Sequence, residues 1–122
     1  MMVFITGTES FVGKELVHQC ESQGIGVVGI DLIKNNKPNY YQADVRSKDI
    51  VEFIPENVDS IIHLAALSRD SDCRNNAFEC FDVNVMGTLN LINAASIKRA
   101  KQFIFASTEW VYDSFNGEEI KD

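Results

Sequence analysis

The sequence predicts an α/β fold, a doubly wound parallel sheet of about five strands. Short apolar runs alternate with helical patterns along the chain, which implies parallel pairing through right-handed crossovers. The first run leads into a glycine-containing turn, Thr6-Gly7-Thr8-Glu9-Ser10-Phe11-Val12-Gly13, and the second ends on an acid, Asp31. Sheets of this kind bind ligands at the carboxyl ends of their strands, so function is to be sought in the residues just after each strand.

Each element has a local reason. Met2 to Thr6 is an apolar run of buried-strand type, and Phe11 to Gln23 carries Val12, Leu16, Val17 and Cys20 at helical spacing. Gly24 suits the left-handed residue that closes such a helix. Ile25 to Ile30 is a second strand ending at Asp31, Lys34 to Asn39 is a polar turn containing Pro38, and Tyr40 to Ala43 is a short third strand. Ser47 to Phe53 reads as a helical turn capped by Ser47. Asp59 to Ala66 is a fourth strand, Cys73 to Ala100 a long helical region, and Gln102 to Ala106 a fifth strand. Within the helical region Val85, Leu89, Ile92 and Ile97 form one apolar stripe, and Gly87, Leu91 and Ala94 a second. The tail from Tyr112 to Asp122 is polar and irregular.

The bulk properties bound the possibilities. A chain of 122 residues, 45% apolar and 24% charged, is expected to form one soluble globular domain over residues 1–122. A net charge of −7 argues against nucleic acid or an anionic membrane as partner, since both require a basic patch. No apolar run approaches the ~20 residues that span a bilayer, and the first strand begins at residue 2, so the expectation is a cytoplasmic protein. Cys20, Cys73 and Cys80 are odd in number and form no CxxC pair, and are expected to be unpaired thiols in a reducing compartment. His18 and His63 are too scattered for a metal centre.

Gly7, Ser10 and Gly13 stand three apart, the rhythm of a turn that grips a pyrophosphate, with serine at the centre. The first glycine permits the tight turn, the middle position brings backbone against phosphate, and the last lets the helix pack closely on the sheet. The helix amino terminus near Phe11 would then present free N–H groups to phosphate oxygens. Alone, this stretch reads equally as a helix capped by Ser10. Asp31 strengthens the pyrophosphate reading, because an acid there accepts hydrogen bonds from the adenosine ribose hydroxyls. The same carboxylate repels a 2′-phosphate, favouring NAD over NADP, although Lys34 and Lys37 lie nearby. A solvated strand-end acid is the plainer alternative.

With these residues in hand, the sequence resembles the extended short-chain dehydrogenase/reductase family, and within it the nucleotide-sugar epimerase/dehydratase group. The matching segments are residues 6–13, Ile30-Asp31, Ala43-Asp44-Val45, His63-Leu64-Ala65-Ala66, residues 84–91 (NVMGTLNL) and residues 105–113 (FASTEWVYD). The resemblance implies a Rossmann-like domain. In it Gly7, Ser10, Phe11 and Val12 line the pyrophosphate, with Gly13 packing below. Asp31, with Leu32 beside it, would hold the ribose. Asp44 would accept the exocyclic amine of adenine while Val45 covers its face. Leu64, Ala65 and Ala66 would pass beneath the nicotinamide half, and Asn84 would organise the catalytic region. Ala106 and Ser107 would lie near the nicotinamide, and Thr108 matches the catalytic Ser/Thr. Glu109 matches a general acid of sugar dehydratases, but Trp110 stands where a second acid follows in that pattern, so Glu109 also reads as a solvated loop acid.

The family's tyrosine and lysine, spaced YxxxK, have no match in this sequence. Tyr112 is not a substitute, because Asn116 follows it by four. The resemblance therefore implies the amino-terminal, NAD-binding part of an NAD-dependent epimerase or dehydratase that acts on a sugar nucleotide, with this chain inactive alone. A non-catalytic dinucleotide-binding or regulatory module is the alternative. An exposed fifth strand and an open helix face would promote self-association, including as a homodimer.

Overall fold

The structure, a computed structural model, describes residues 1–108. Its centre is a five-stranded parallel sheet in the order β3-β2-β1-β4-β5. The strands are β1 (Met2–Thr6), β2 (Gly26–Asp31), β3 (Tyr40–Gln42), β4 (Ser60–His63) and β5 (Phe103–Phe105). Chain order reverses beside β1, which pairs with β2 on one side (Thr6 opposite Ile30) and β4 on the other (Thr6 opposite His63). The carboxyl ends of β1, β2 and β4 therefore meet at one point of the sheet edge, where ligands of doubly wound sheets bind.

The helices are α1 (Phe11–Ser22), α2 (Ile50–Phe53), α3 (Asp70–Cys73), α4 (Ala77–Phe81) and α5 (Gly87–Ile97), with a π-helical turn at Asp82–Met86 between the last two. One face of the sheet packs Val3, Ile5 and Val27 against Val17 and Cys20 of α1. The other packs Phe4, Val28, Ile30 and Ile61 against α2 and α5, whose Ile50, Leu91, Ala94 and Ala95 are buried. The helical stripe through Gly87, Leu91 and Ala94 thus faces the core, while Val85, Leu89, Ile92 and Ile97 face outward. Gly24 does adopt a left-handed φ of +73°, and Ile25 N–H reaches back to the Cys20 carbonyl to close α1.

Several boundaries differ from the sequence expectation. β4 stops at His63 rather than Ala66: Leu64 N–H is shared between the Thr6 carbonyl (3.2 Å) and the Thr6 hydroxyl (3.1 Å), and Ala65 N–H turns to that hydroxyl (3.1 Å). α2 starts at Ile50 with Asp49 as its capping residue, while the Ser47 hydroxyl accepts from Asp49 N–H just before it. The long helical region expected over 73–100 is interrupted by the turn over residues 74–76, where Asn75 takes a left-handed φ of 65°, and then runs on from Ala77 to Ile97 through the π turn.

The cysteines also correct the expectation of unpaired thiols. Cys73 and Cys80 form a disulfide, with Cα atoms 5.2 Å apart. The left-handed Asn75 folds α3 back on α4, which brings residues seven apart within bonding reach. α4 buries no side chain, so the cross-link holds what apolar packing does not. Cys20 is a free, buried thiol whose pKa burial pushes up.

Candidate functional site

The turn after β1 is built on the main chain. Gly7 has φ +79°, and a Cβ there would lie 3.0–3.1 Å from the Leu64–Ala65 peptide, so the loops after β1 and β4 meet backbone to backbone. Gly7 N–H donates to the Ile30 carbonyl at 2.9 Å, stitching the turn to the end of β2. A Cβ on Gly13 would collide with the Gly7 carbonyl oxygen, so the first turn of α1 sits directly on the loop. Ser10 is the capping residue of α1: its hydroxyl donates to the Gly7 carbonyl (2.7 Å) and accepts from Gly13 N–H (3.0 Å). Lys14 N–H is met by the Ser10 carbonyl, which leaves the Phe11 and Val12 N–H groups at the open helix end. The Phe11 and Val12 side chains are exposed, so what these residues present at the turn is main chain.

Asp31 stands at the end of β2 between two loops. One carboxylate oxygen accepts from Glu9 N–H and the other from Ile33 N–H, both at 2.9 Å. Glu9 turns its own carboxylate toward the loop after β2, where the Asn35 amide nitrogen donates to it at 3.2 Å. The Asn35 amide oxygen is occupied by Lys37 N–H at 2.8 Å, which fixes the amide orientation. Lys37 itself leans away from Asp31, pairing with Glu21 (3.5 Å) and lying over the Tyr40 ring. Leu32 is exposed beside Asp31.

Asp44 follows β3 and is gripped by Arg46, whose guanidinium lies 2.7 Å from one oxygen and whose N–H lies 2.9 Å from the other. That pairing holds the Asp44 carboxyl below the usual carboxylate range. The far end of Arg46 reaches Asp82 of the π turn at 3.2 Å. The Val45 side chain is buried against Gly87, and its carbonyl accepts from the Asn90 amide at 2.8 Å. The Val45 side chain thus packs inward, toward α5.

A chain of hydrogen bonds organises the loop after β4. The Thr6 hydroxyl accepts from Leu64 and Ala65 N–H, so its hydrogen goes to its third neighbour, His63 Nδ1, at 2.7 Å. The imidazole proton then resides on Nε2, which donates to the Thr88 hydroxyl at 2.9 Å. Thr88 in turn donates to the Asn84 carbonyl at 2.6 Å. The Asn84 side chain closes the circuit: its oxygen accepts from Leu67 N–H (2.8 Å) and its nitrogen donates to the Leu67 carbonyl (2.9 Å). The π turn, a form frequent at functional sites, carries Asn84. Burial drives the His63 pKa down to about 4, consistent with a neutral ring.

These groups border a cavity of about 430 Å³ lined by His63, Leu64 to Ser68, Asn84, Thr88 and Phe105 to Thr108. The structure thus gathers Leu64, Ala65, Ala66, Asn84, Ala106, Ser107 and Thr108 at one hollow. Gly7 and Ser10 lie on the turn after β1, Phe11, Val12 and Gly13 in the first turn of α1, Asp31 and Leu32 at the end of β2, and Asp44 and Val45 beyond β3. Glu109 lies outside the described residues. No group of three metal-ligating side chains occurs among the described residues. Sequence reasoning missed Thr6, Glu9, Asn35, Arg46 and Thr88 and gave His63 no role. Thr6 and Glu9 lie within the turn over residues 6–13, and Thr88 stands four residues after Asn84.

The NAD dependent epimerase/dehydratase family matches residues 3–122, and the chain belongs to that family. It is 27% identical over 128 residues to a UDP-glucose 4-epimerase of Yersinia enterocolitica, spanning 92% of this chain but 38% of that protein. Among solved structures it is similar to the Thermus thermophilus UDP-glucose 4-epimerase in complex with NAD (TM-score 0.83, 26% identity, all of this chain and 43% of that one). It is also similar to the Bifidobacterium longum UDP-glucose 4-epimerase in complex with NAD⁺ and UDP (TM-score 0.81, 26% identity, 92% and 38%). The chain therefore spans about two fifths of the length of each of these three proteins.

Proposed function

We propose that this chain is the NAD-binding domain, over residues 1–122, of an epimerase or dehydratase acting on a sugar nucleotide. The observation that carries the reading is the meeting of three loops at the sheet's point of reversal: the glycine turn, the Asp31 corner and the loop over residues 64–67. The residues present fit the cofactor. The turn around Gly7 and Gly13 is a cradle that a Cβ would fill, and it faces the open N–H groups of Phe11 and Val12. Asp31 is pre-oriented by two N–H donors and keeps lone pairs for a ribose diol. Asp44 and the Val45 N–H would bind the adenine edge. Small residues at Ala65 and Ala66 would let a flat ring approach the backbone, and Thr108 would hydrogen-bond the sugar oxygen. Glu109 would serve a dehydratase as acid. Bound there, NAD would supply the acceptor for the hydride.

The family's proton-transferring Tyr/Lys pair has no match in this sequence, so the 122 residues alone bind the cofactor without turnover. The solved relatives hold NAD, which supports NAD over NADP. Calorimetric titration with NADH is expected to show saturable binding, lost in Gly13→Ala. Absence of binding at millimolar cofactor, or sugar-nucleotide turnover by this chain, would overturn the corresponding half of the reading. A non-catalytic binding module would share every feature of this half, and the turnover of the longer protein separates the two.

Self-association, including as a homodimer, belongs to the same proposal. Phe78, Val85, Leu89 and Ile92 expose an apolar stripe, and among the described residues β5 is an edge strand of the sheet. A monomeric mass at high concentration in light scattering would contradict it. A cytoplasmic setting is also proposed. Among the described residues no helix is long and apolar enough to cross a membrane.

A further inference from the structure

We propose that Glu9 is a second discriminating carboxylate, forming with Asp31 a two-acid clamp that accepts a ribose 2′-hydroxyl and rejects a 2′-phosphate. The proposal rests on the NAD-binding reading above and adds to it the residue that sets cofactor choice. Glu9 lies inside the glycine turn, two residues after Gly7, and its N–H is one of the two donors that orient Asp31. The two acids are thus joined through that bond, and the Glu9 carboxylate reaches the loop that follows Asp31. The Glu9 side chain is half-buried, and its polar partner is a neutral amide, Asn35. Asn35 cannot turn its oxygen to Glu9, because that oxygen holds Lys37 N–H. The latch therefore keeps the Glu9 carboxylate in place without neutralising it.

The charges around the corner point the same way. Among the described residues, no lysine or arginine forms an ion pair with Glu9 or Asp31. Of the two lysines of the following loop, the natural counter-ions for a phosphate, Lys37 is held by Glu21 and lies over Tyr40, and the exposed Lys34 pairs with neither acid. A ribose diol arriving at this corner brings two O–H donors to acids with unused lone pairs. A 2′-phosphate arrives as acceptors alone, with a charge of about −1.5 to −2, against two carboxylates. Removing one of those negative charges relieves repulsion for the phosphate far more than it costs the diol, which loses at most one hydrogen bond.

The test is the ratio of NADH to NADPH affinity in wild type, Glu9→Gln and Asn35→Ala, by calorimetry at low and high salt. Glutamine keeps the shape and an amide oxygen for Asn35, so the fold is preserved. Glu9→Gln is expected to raise NADPH affinity about tenfold at low salt while NADH changes less than about threefold. The gain should shrink at high salt as the repulsion is screened. Asn35→Ala should lower the discrimination partway by freeing the Glu9 side chain. An unchanged NADH/NADPH ratio in Glu9→Gln, with NADH still binding wild type, overturns the clamp and leaves the NAD reading intact. Failure of NADH to bind wild type overturns that reading and the clamp with it.

Discussion

The Thr6 hydroxyl donates to His63 Nδ1 across 2.7 Å, and this bond joins the ends of the two central strands at the edge of the candidate site. Protonating His63 would place a second hydrogen in that gap, where Thr6 has already committed its two lone pairs to Leu64 and Ala65. The folded-state pKa of about 4 lies below the ordinary 6.5. Between those values the unfolded chain binds a proton that the folded chain refuses. The stabilisation is complete above about pH 6.5 and is lost as pH falls toward 4, a loss of about 3 kcal/mol across that window. Urea unfolding of wild type is expected to lose stability more steeply between about pH 6.5 and 4.5 than that of His63→Asn. Parallel profiles for the two proteins would rule this out.

Thr88 is the other end of the same chain, and its two roles separate by substitution. Thr88→Val keeps the shape but leaves His63 Nε2–H and the Asn84 carbonyl without their partner, at a cost of about 1–3 kcal/mol for the stranded buried donor. Thr88→Ser keeps the hydroxyl and should retain most of that stability. Because Asn84 braces Leu67, the valine variant should also bind NADH more weakly. Equal stability for the serine and valine variants would show that packing, not the relay, matters there.

The parallel sheet, the turn at Gly7 and the acid at Asp31 are legible in the sequence because each depends on local chemistry: an apolar run, a left-handed glycine, a strand-end carboxylate. The relay is not, since Thr6, His63 and Thr88 stand far apart in sequence and meet through strand pairing and helix packing. The length of β4 is hidden for the same reason, because a hydroxyl on another strand draws the residues after His63 away. Cys73 and Cys80 look like an idle pair in the sequence, and only the left-handed Asn75 folds the chain so that they meet. The resemblance marks Val45 but does not show that its side chain is buried, for which Gly87 leaves room.

That disulfide has a local consequence that can be measured. Closing a short loop between residues seven apart restricts the unfolded segment by about 2–3 kcal/mol on a chain-entropy basis. α4 contributes no buried side chain, so little else holds α3 and α4 in place. Reduction, or the Cys73→Ser/Cys80→Ser pair, should accelerate amide hydrogen exchange across residues 70–81 and leave the strands β1, β2 and β4 protected. Cys80 Sγ also lies 3.4 Å from the Asn84 amide nitrogen, so some loosening should reach Leu67. Uniform loss of protection over the sheet would instead assign the bond a global role.

Ser10 is the residue at which the turn departs from three glycines, and its geometry predicts what replacement does. The hydroxyl spends its hydrogen on the Gly7 carbonyl and a lone pair on Gly13 N–H, so it caps α1 and closes the loop instead of reaching outward to a phosphate. Ser10→Ala should destabilise the fold by about 1 kcal/mol, and Ser10→Gly by only a few tenths. Glycine also removes the Cβ from the place where backbone must approach a pyrophosphate. Ser10→Gly is therefore expected to bind NADH as tightly as wild type or more tightly, whereas Gly13→Ala, whose Cβ would strike the Gly7 carbonyl, should lose binding. Calorimetry on the three variants checks the order. If Ser10→Gly lost NADH affinity tenfold while keeping its thermal stability, the hydroxyl would have to leave its cap and donate to the phosphate in the complex.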